Sequence, residues 1–154
     1  MSDIQLRVPR DDDWPGILEL ANLSVAEVPG GPQEDWLANR REFSQRPGVQ
    51  RHWVTEQAGV RGIAGYAGAE TRPDYAGARI FVVTAPSARE DLGAQLLSHA
   101  IDAARQLEVT SVWLVEYAAD SAFVSFLKRH GFAEVRRFPL ENGREVVLLA
   151  MPLR

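Results

Sequence analysis

The stretch from Ile80 to Leu97, IFVVTAPSAREDLGAQLL, joins an apolar run to an amphipathic segment through a short polar turn. Pro86 begins the turn, Arg89 supplies a cation within it, and Gly93 precedes apolar residues at helical spacing. The first turn of a helix leaves about four backbone N–H groups unpaired and carries a partial positive charge, which suits a phosphate. The stretch therefore predicts a strand, a turn that can bind an anion and a helix, although the same pattern also serves as a plain connection.

Strands and helices are predicted to alternate along the rest of the chain. Ile4 to Val8 alternates apolar and polar residues, as a first strand does, and Asp11 to Asp13 can cap the helix that follows. Further helices are predicted over Gln33 to Ser44, Leu92 to Leu107 and Ser121 to Arg129. The remaining predicted strands are Arg51 to Gln57, Gly62 to Glu70, Ala78 to Thr84, Val112 to Val115, Phe132 to Phe138 and Glu145 to Leu153. This order predicts an α+β protein with a mixed, mainly antiparallel central sheet of about seven strands and about four flanking helices.

Composition limits the class of protein. With 154 residues, 45% of them hydrophobic and 25% charged, the chain has the size of one soluble domain, predicted here over residues 1–154. It has no cysteine, and the spacing of His52, His99 and His130 does not suit metal ligation, so no disulfide and no metal site is expected. The net charge of −4 comes without a basic stripe, which argues against a nucleic-acid partner.

The sequence also argues against a membrane partner. No apolar run approaches the ~18 residues that a membrane span requires. The first residues, Met-Ser-Asp-Ile-Gln, lack the basic and apolar regions of a signal peptide. A cytoplasmic protein is therefore expected.

The turn between Ile80 and Leu97 resembles the cofactor loop of the GNAT superfamily of acyl-coenzyme A-dependent N-acyltransferases. That loop has the pattern Arg/Gln-x-x-Gly-x-Gly/Ala and usually follows Val-x-Pro. The matching residues here are Pro86, Arg89, Gly93 and the pair Leu96–Leu97. A second segment, residues 120–132 with the sequence DSAFVSFLKRHGF, is similar to the family's closing helix, Asn-x-x-Ala-x-x-Phe/Leu-Tyr-x-x-x-Gly-Phe. The likeness covers the chain from Ile4 to Leu153 and implies a sheet splayed between its fourth and fifth strands.

The resemblance also implies where acetyl-CoA binds. Its pyrophosphate would lie over the N-terminus of the helix, and its peptide-like pantetheine arm would pair with the free edge of the preceding strand. Amides of that strand could also polarise the thioester carbonyl. The implied cofactor-binding residues are Val82, Val83, Thr84, Arg89, Leu92, Gly93, Ala94, Gln95 and Asp120. For Asp120, a helix N-cap is an equally good interpretation.

Two positions of the loop depart from the family pattern. Counted back from Gly93, the arginine position holds Ala88 and the first glycine position holds Asp91. Counted forward from Pro86, Arg89 fits but the loop is one residue short. The carboxylate of Asp91 would repel a diphosphate, and it could instead cap the helix.

Catalysis requires a group that takes a proton from the acceptor, because an amine arrives as an ammonium with a pKa near ~10. Glu70 and Glu116, each at the end of a predicted strand, are the candidates, and each could equally be a solvated carboxylate; His52 is the third choice. Many family members carry a tyrosine general acid where this chain has Leu127. Tyr117 could replace it, or it could be an ordinary aromatic residue.

These observations predict an N-acetyltransferase that moves an acetyl group from acetyl-CoA to a primary amine of a small molecule or peptide. The alternative is a non-catalytic binding or scaffold domain of the same fold, with a degraded cofactor loop. The expected partners are coenzyme A and an amine acceptor, and a homodimer is left open. The sequence does not identify the acceptor.

Overall fold

The structure, a computed structural model, describes residues 4–24, 50–56, 62–72, 76–140 and 143–153. Those residues form three α-helices and six strands. The helices are α1 (Trp14–Ser24), α2 (Ala94–Gln106) and α3 (Ser121–Arg129). The strands are β1 (Gln50–Thr55), β2 (Gly65–Glu70), β3 (Ala78–Thr84), β4 (Ser111–Tyr117), β5 (Ala133–Pro139) and β6 (Glu145–Pro152).

All six strands belong to one sheet with the order β1-β2-β3-β4-β6-β5. Every neighbouring pair is antiparallel except β3 and β4, which are parallel and are connected through α2. A parallel pair needs such a crossover, because its second strand must start again from the same end of the sheet. The predicted α+β class and the mixed, mainly antiparallel sheet are therefore confirmed.

The parallel pair separates soon after it begins. Its ladder consists of two residue pairs, Ala78 with Val112 and Arg79 with Trp113. From Ile80 to Thr84, β3 pairs with β2 on one side and has no ladder partner on the side facing β4. This gap is the splay that the sequence predicts between its fourth and fifth strands.

The two faces of the sheet are covered by different helices. Alternate β3 residues Ala78, Ile80 and Val82 pack with α2 and α3 in the larger core, on a side called here the α2 face. Phe81, of the opposite alternation, packs with Trp14 and Ile17 of α1 in a second core, on the α1 face. The described helices are too short or too polar to cross a membrane.

The predicted first strand, Ile4 to Val8, is wrong. This segment makes a single bridge, in which the backbone N–H and carbonyl of Arg7 both bond to Val54. Pro9 has no N–H to continue a ladder, and Val8 stays 64% exposed, although Ile4 and Leu6 pack against the larger core. The sheet therefore has six strands rather than about seven, and the predicted helix over Gln33 to Ser44 lies outside the described residues.

Candidate active site

The open edge of β3 forms one wall of the gap. Along Val82, Val83 and Thr84, the backbone groups that point toward β4 are not bonded to it. The side chains of Val82 and Thr84 lie on the α2 face, and that of Val83 lies on the α1 face. An exposed strand edge of this kind can pair with an extended, amide-containing ligand.

The turn after β3 is helical throughout. A 3₁₀ turn (Pro86–Ala88) leads into a π-turn (Arg89–Gly93), and α2 continues directly from it. The backbone N–H of Ala94 already donates to the carbonyls of Arg89 and Asp91. Four predicted cofactor residues, Leu92, Gly93, Ala94 and Gln95, thus lie inside a continuous helical segment. The long helix itself begins at Ala94, two residues after the predicted start, because the π-turn occupies the preceding residues.

The backbone of this turn does not require a glycine at position 93. Gly93 has a helical φ of −59°, and a Cβ added there would lie 3.4 Å from Arg89 Cγ, which is ordinary van der Waals contact. The π-turn is therefore compatible with a small side chain at this position. Such turns are uncommon and are frequently found at functional sites.

Arg89 is a buried cation. Its exposed fraction is 8%, and its guanidinium carbon lies 4.7 Å from the centre of the Phe123 ring. Within the described ranges this guanidinium has no carboxylate partner. Val82, Thr84, Arg89 and Phe123 line a common cleft on the α2 face. Because an uncompensated buried charge is costly, the cleft is suited to an anion.

The acidic residues of the turn lie on its exposed side. Glu90 forms an ion pair with Arg129, the last residue of α3. The Asp91 carboxylate accepts a hydrogen bond of 3.2 Å from the side-chain amide of Gln95 and does not cap the helix. Both acidic residues therefore flank the turn without blocking the cleft.

Asp120 connects β4 to α3 and caps the helix. Its Oδ1 accepts from the backbone N–H of Phe123 at 3.3 Å. Its Oδ2 is buried and accepts no hydrogen bond from the residues that the structure describes. The N-cap interpretation of Asp120 is thus correct for one oxygen, and the other remains available to a ligand.

Glu116 and Tyr117 end β4 at the open side of the gap. Counting from the Ala78–Val112 pair, Glu116 is level with Val82 and Tyr117 with Val83. Strand alternation puts Glu116 on the α2 face and Tyr117 on the α1 face, where the Arg144 guanidinium lies 5.8 Å from the centre of its ring. Leu127, in contrast, is fully buried in the core under α3.

Glu70 and His52 lie away from this group. Glu70 is 1% exposed and opposes Arg79 at the paired end of β3, with 3.7 Å between Oε1 and the arginine Nη1. Three residues of extended strand, about 10 Å, separate that level from Val82. His52 Nδ1 is 3.0 Å from the hydroxyl of the buried Tyr66, in an aromatic cluster next to Trp14.

Sequence analysis missed two residues of this site. Phe123, which covers Arg89, stands four positions before Leu127 on the inward face of the closing helix, and the helical period indicates that shared face without assigning Phe123 to the site. Arg144 comes near Tyr117 because β6 pairs Val146 with Tyr117, and the sequence does not specify that pairing.

The residues around the gap fit an acyl-CoA. The unpaired edge of β3 could pair with a peptide-like arm, the buried Oδ2 of Asp120 could accept an N–H from that arm, and Arg89 could pair with negative charge.

The sequence profile of the acetyltransferase (GNAT) family matches residues 14–132. This chain belongs to that family. No curated protein matches the chain.

Solved GNAT structures share the fold along almost the whole chain. A candidate phosphinothricin N-acetyltransferase superposes with a TM-score of 0.77 at 21% identity, covering 99% of both chains. The ribosomal-protein-S18-alanine N-acetyltransferase of Escherichia coli gives 0.71 at 21% identity, covering 96% of this chain and 92% of that one. The candidate acetyltransferase yncA of Salmonella typhimurium, solved with its cofactor acetyl-CoA, gives 0.70 at 20% identity, covering 99% and 95%. Membership of the GNAT family supports acetyl transfer from an acyl-CoA in general.

Proposed function

We propose that residues 1–154 act as a single domain that transfers the acetyl group of acetyl-CoA to a primary amine. The observation that carries this proposal is the unpaired edge of β3 beside a buried, uncompensated arginine. The edge matches the amides of the arm that carries the thioester, and the arginine matches the negative charge of that arm. Structures of similar fold are named for alanine and spermidine N-acetylation, which supports an amine acceptor in general.

The donor binds along the edge from Val82 to Thr84. Backbone groups of this edge pair with the amides of the arm and polarise the thioester carbonyl, and Asp120 Oδ2 accepts an N–H of the arm. The pyrophosphate lies over the turn from Pro86 to Gly93, where the helix dipole of α2 favours negative charge. Leu92, Gly93, Ala94 and Gln95 form the floor of that site.

Glu116 takes the proton of the acceptor ammonium, directly or through a water molecule. It is preferred to Glu70 because it is level with Val82 and lies at the open end of the gap, whereas Glu70 opposes Arg79 about 10 Å away. Tyr117 lies on the α1 face of the same strand end and borders the path of the acceptor.

Calorimetry with acetyl-CoA, followed by release of free thiol across a panel of primary amines, tests the proposed function. We expect saturable heat with a thermal shift, and thiol release with at least one amine. Absence of binding at millimolar donor would contradict the proposal. Binding without acetylation of any amine would instead support the non-catalytic scaffold, which the departures at Asp91 and Leu127 favour.

The choice between the two carboxylates has its own test. Glu116→Gln should lower kcat most at neutral pH and leave it less affected at high pH, where the amine is already deprotonated. Glu70→Gln is the matched control and should leave the shape of the pH profile unchanged. The opposite pattern would assign the proton transfer to Glu70.

A further inference from the structure

We propose that the guanidinium of Arg144 binds a carboxylate of the acceptor, so that the preferred substrate is a small amine that also carries a carboxylate. This inference rests on the proposed function, because it requires that the amine reach the thioester past Tyr117, from the α1 face of the gap. It names the class of acceptor, which membership of the family leaves open.

The position of Arg144 is the first argument. β6 pairs Val146 with Tyr117, and Arg144 stands two residues before Val146, on the same face of the sheet. Its guanidinium carbon lies 5.8 Å from the centre of the Tyr117 ring. Tyr117 in turn is level with Val83 across the open end of the gap. The guanidinium therefore borders the route by which the acceptor is proposed to approach.

The charges of this face are the second argument. Arg136 of β5 lies on the same α1 face, with its guanidinium carbon 5.0 Å from the centre of the Phe138 ring. The carboxylates of β4, β5 and β6 belong to the opposite alternation and lie on the α2 face; they are Glu116, Glu134 and Glu145. This half of the sheet thus presents cations and no carboxylate to the acceptor, although the whole chain has a net charge of −4.

The surroundings of Arg144 suit a carboxylate in particular. Arg144 and Tyr117 are both partly buried, so the guanidinium is partly withdrawn from water. A planar guanidinium matches a carboxylate with two parallel hydrogen bonds, which are stronger where water is partly excluded. The same charge repels a second ammonium group, so a polyamine is disfavoured at this place.

The two cations of the site then serve different molecules. Arg89 lies in the cleft on the α2 face, where the anionic arm of the donor is proposed to bind. Arg144 lies on the α1 face, beyond the strand end that carries Tyr117. A carboxylate of the acceptor and the negative charge of the donor therefore do not compete for one guanidinium.

Acetylation of matched amines, followed by release of free thiol, tests the assignment. γ-Aminobutyrate and γ-aminobutyramide have the same length and differ in the negative charge, and putrescine replaces that charge by a positive one. At equal concentrations of neutral amine, we expect kcat/KM to be at least about tenfold higher for the carboxylate than for the amide, and lowest for putrescine. The difference should reside in KM, because the carboxylate is held equally before and during the reaction. Glycine, β-alanine and their amides repeat the comparison with the carboxylate nearer the amine.

Arg144→Gln should remove this preference. We expect kcat/KM for γ-aminobutyrate to fall by about tenfold or more, while the value for the amide stays within about twofold of the wild type. Arg144→Lys should keep part of the preference, because it retains the charge without the planar fork. Arg136→Gln should have a smaller effect, since β5 lies one strand farther from the gap than β6. Arg144→Met keeps an aliphatic contact with the ring and provides the measurement if the glutamine variant folds poorly.

Arg137→Gln is the matched control. Arg137 belongs to the same half of the sheet but lies on the α2 face, where it pairs with Glu134 and Glu145. Its removal deletes one positive charge and leaves the α1 face unaltered. The ratio of kcat/KM for the carboxylate to that for the amide should equal the wild-type ratio.

The outcomes separate this inference from the proposed function. A wild type that acetylates the amides as well as the carboxylates, or a preference that survives Arg144→Gln, would overturn the inference while the proposed function stands. Acetylation of other primary amines but of none of these amino acids would do the same. A protein that acetylates no amine would overturn both.

Discussion

Two buried charges in this protein have the same exposed fraction and different surroundings. Asp13, at the start of α1, is 8% exposed, as is Arg89 at the start of the π-turn. The Asp13 carboxylate accepts two hydrogen bonds from the Arg7 guanidinium, of 2.6 and 2.9 Å, and one of 2.6 Å from the Arg10 backbone. Arg89 has an aromatic ring and no carboxylate among the described residues.

The Asp13 charge is compensated by protein groups, whereas the Arg89 charge is proposed to be compensated by the donor. Hydrogen bonds from Arg7 hold the pKa of Asp13 below its ordinary value, and the hydrogen bonds that Arg7 donates to Asp13 and Glu56 raise the pKa of Arg7. The pair attaches the N-terminal segment to α1, and Glu56 at the end of β1 joins it at 3.0 Å. Arg89 makes no comparable attachment, so its removal should change function more than folding.

Arg89→Met should have the largest effect on activity. We expect the kcat/KM for acetyl-CoA to fall by roughly tenfold or more, because the variant removes the cation proposed to pair with the anionic arm of the donor and a charged hydrogen bond contributes about 1.5–3 kcal/mol. The melting temperature should stay the same or rise, because an uncompensated buried charge is replaced by an apolar chain. Steady-state kinetics and thermal unfolding measure both; a destabilised variant with normal kcat/KM would erase the contrast with Asp13.

Asp13→Ala should show the reverse behaviour. Losing the charged hydrogen bonds from Arg7 and leaving the Arg10 N–H without its acceptor should lower the free energy of unfolding by about 2 kcal/mol. The kcat of the folded fraction should be unchanged, because Asp13 precedes α1 on the α1 face of the sheet, whereas the cleft lies on the α2 face. Urea unfolding gives the stability, and an Asp13→Asn variant isolates the charge.

The same pair predicts a pH dependence of stability. Because the folded-state pKa of Asp13 is lowered, its stabilisation is complete above the unfolded pKa of ~3.9 and is lost as pH falls through the lower folded value. The stability difference between the wild type and Asp13→Asn should therefore shrink below about pH 4. Urea unfolding at several pH values measures it, and a difference that stays constant to low pH would contradict the role given to the pair.

Asp91→Gly should produce the smallest change. Its exposed carboxylate bonds Gln95 and stands beside the turn that is proposed to hold the pyrophosphate. Removing it should tighten donor binding about fivefold, near 1 kcal/mol, and cost a similar amount of helix stability. Calorimetry with coenzyme A is the measurement; weaker binding would mean that the Asp91–Gln95 bond orders the turn.

The sequence predicted elements well where local signals agree. Ala78–Thr84 and Ser121–Arg129 were predicted with the observed bounds, because an apolar run and a capped, periodic segment each define their own ends. The segment Ile4 to Val8 failed because alternation reports a pattern of side chains and not the presence of a neighbouring strand. The family itself was recognisable because two motifs stand at a fixed separation.

The arrangement of the site required three-dimensional information. Arg89 contacts Phe123, which stands 34 positions later in the sequence, and no local pattern relates the two residues. Glu70 and Glu116 look alike as carboxylates at strand ends, and only the ladder register separates the paired end from the open end. The sequence placed Gly93 in the first turn of the predicted helix, whereas the structure places it at the end of a π-turn that leads into α2.

The short ladder between β3 and β4 also has a mechanical meaning. The half-sheet β1-β2-β3 is joined to the half-sheet β4-β6-β5 by two residue pairs, so this short ladder acts as the hinge between the two halves of the sheet. The hinge is tight, because Gly77 next to it adopts φ +103° and a Cβ there would lie 2.6 Å from the Ser111 carbonyl oxygen. A group that enters the open end and pushes β3 and β4 apart therefore strains the few hydrogen bonds of this ladder. The resistance of this ladder to opening would then limit how thick an acyl group the gap accepts, although the acyl group does not contact the ladder.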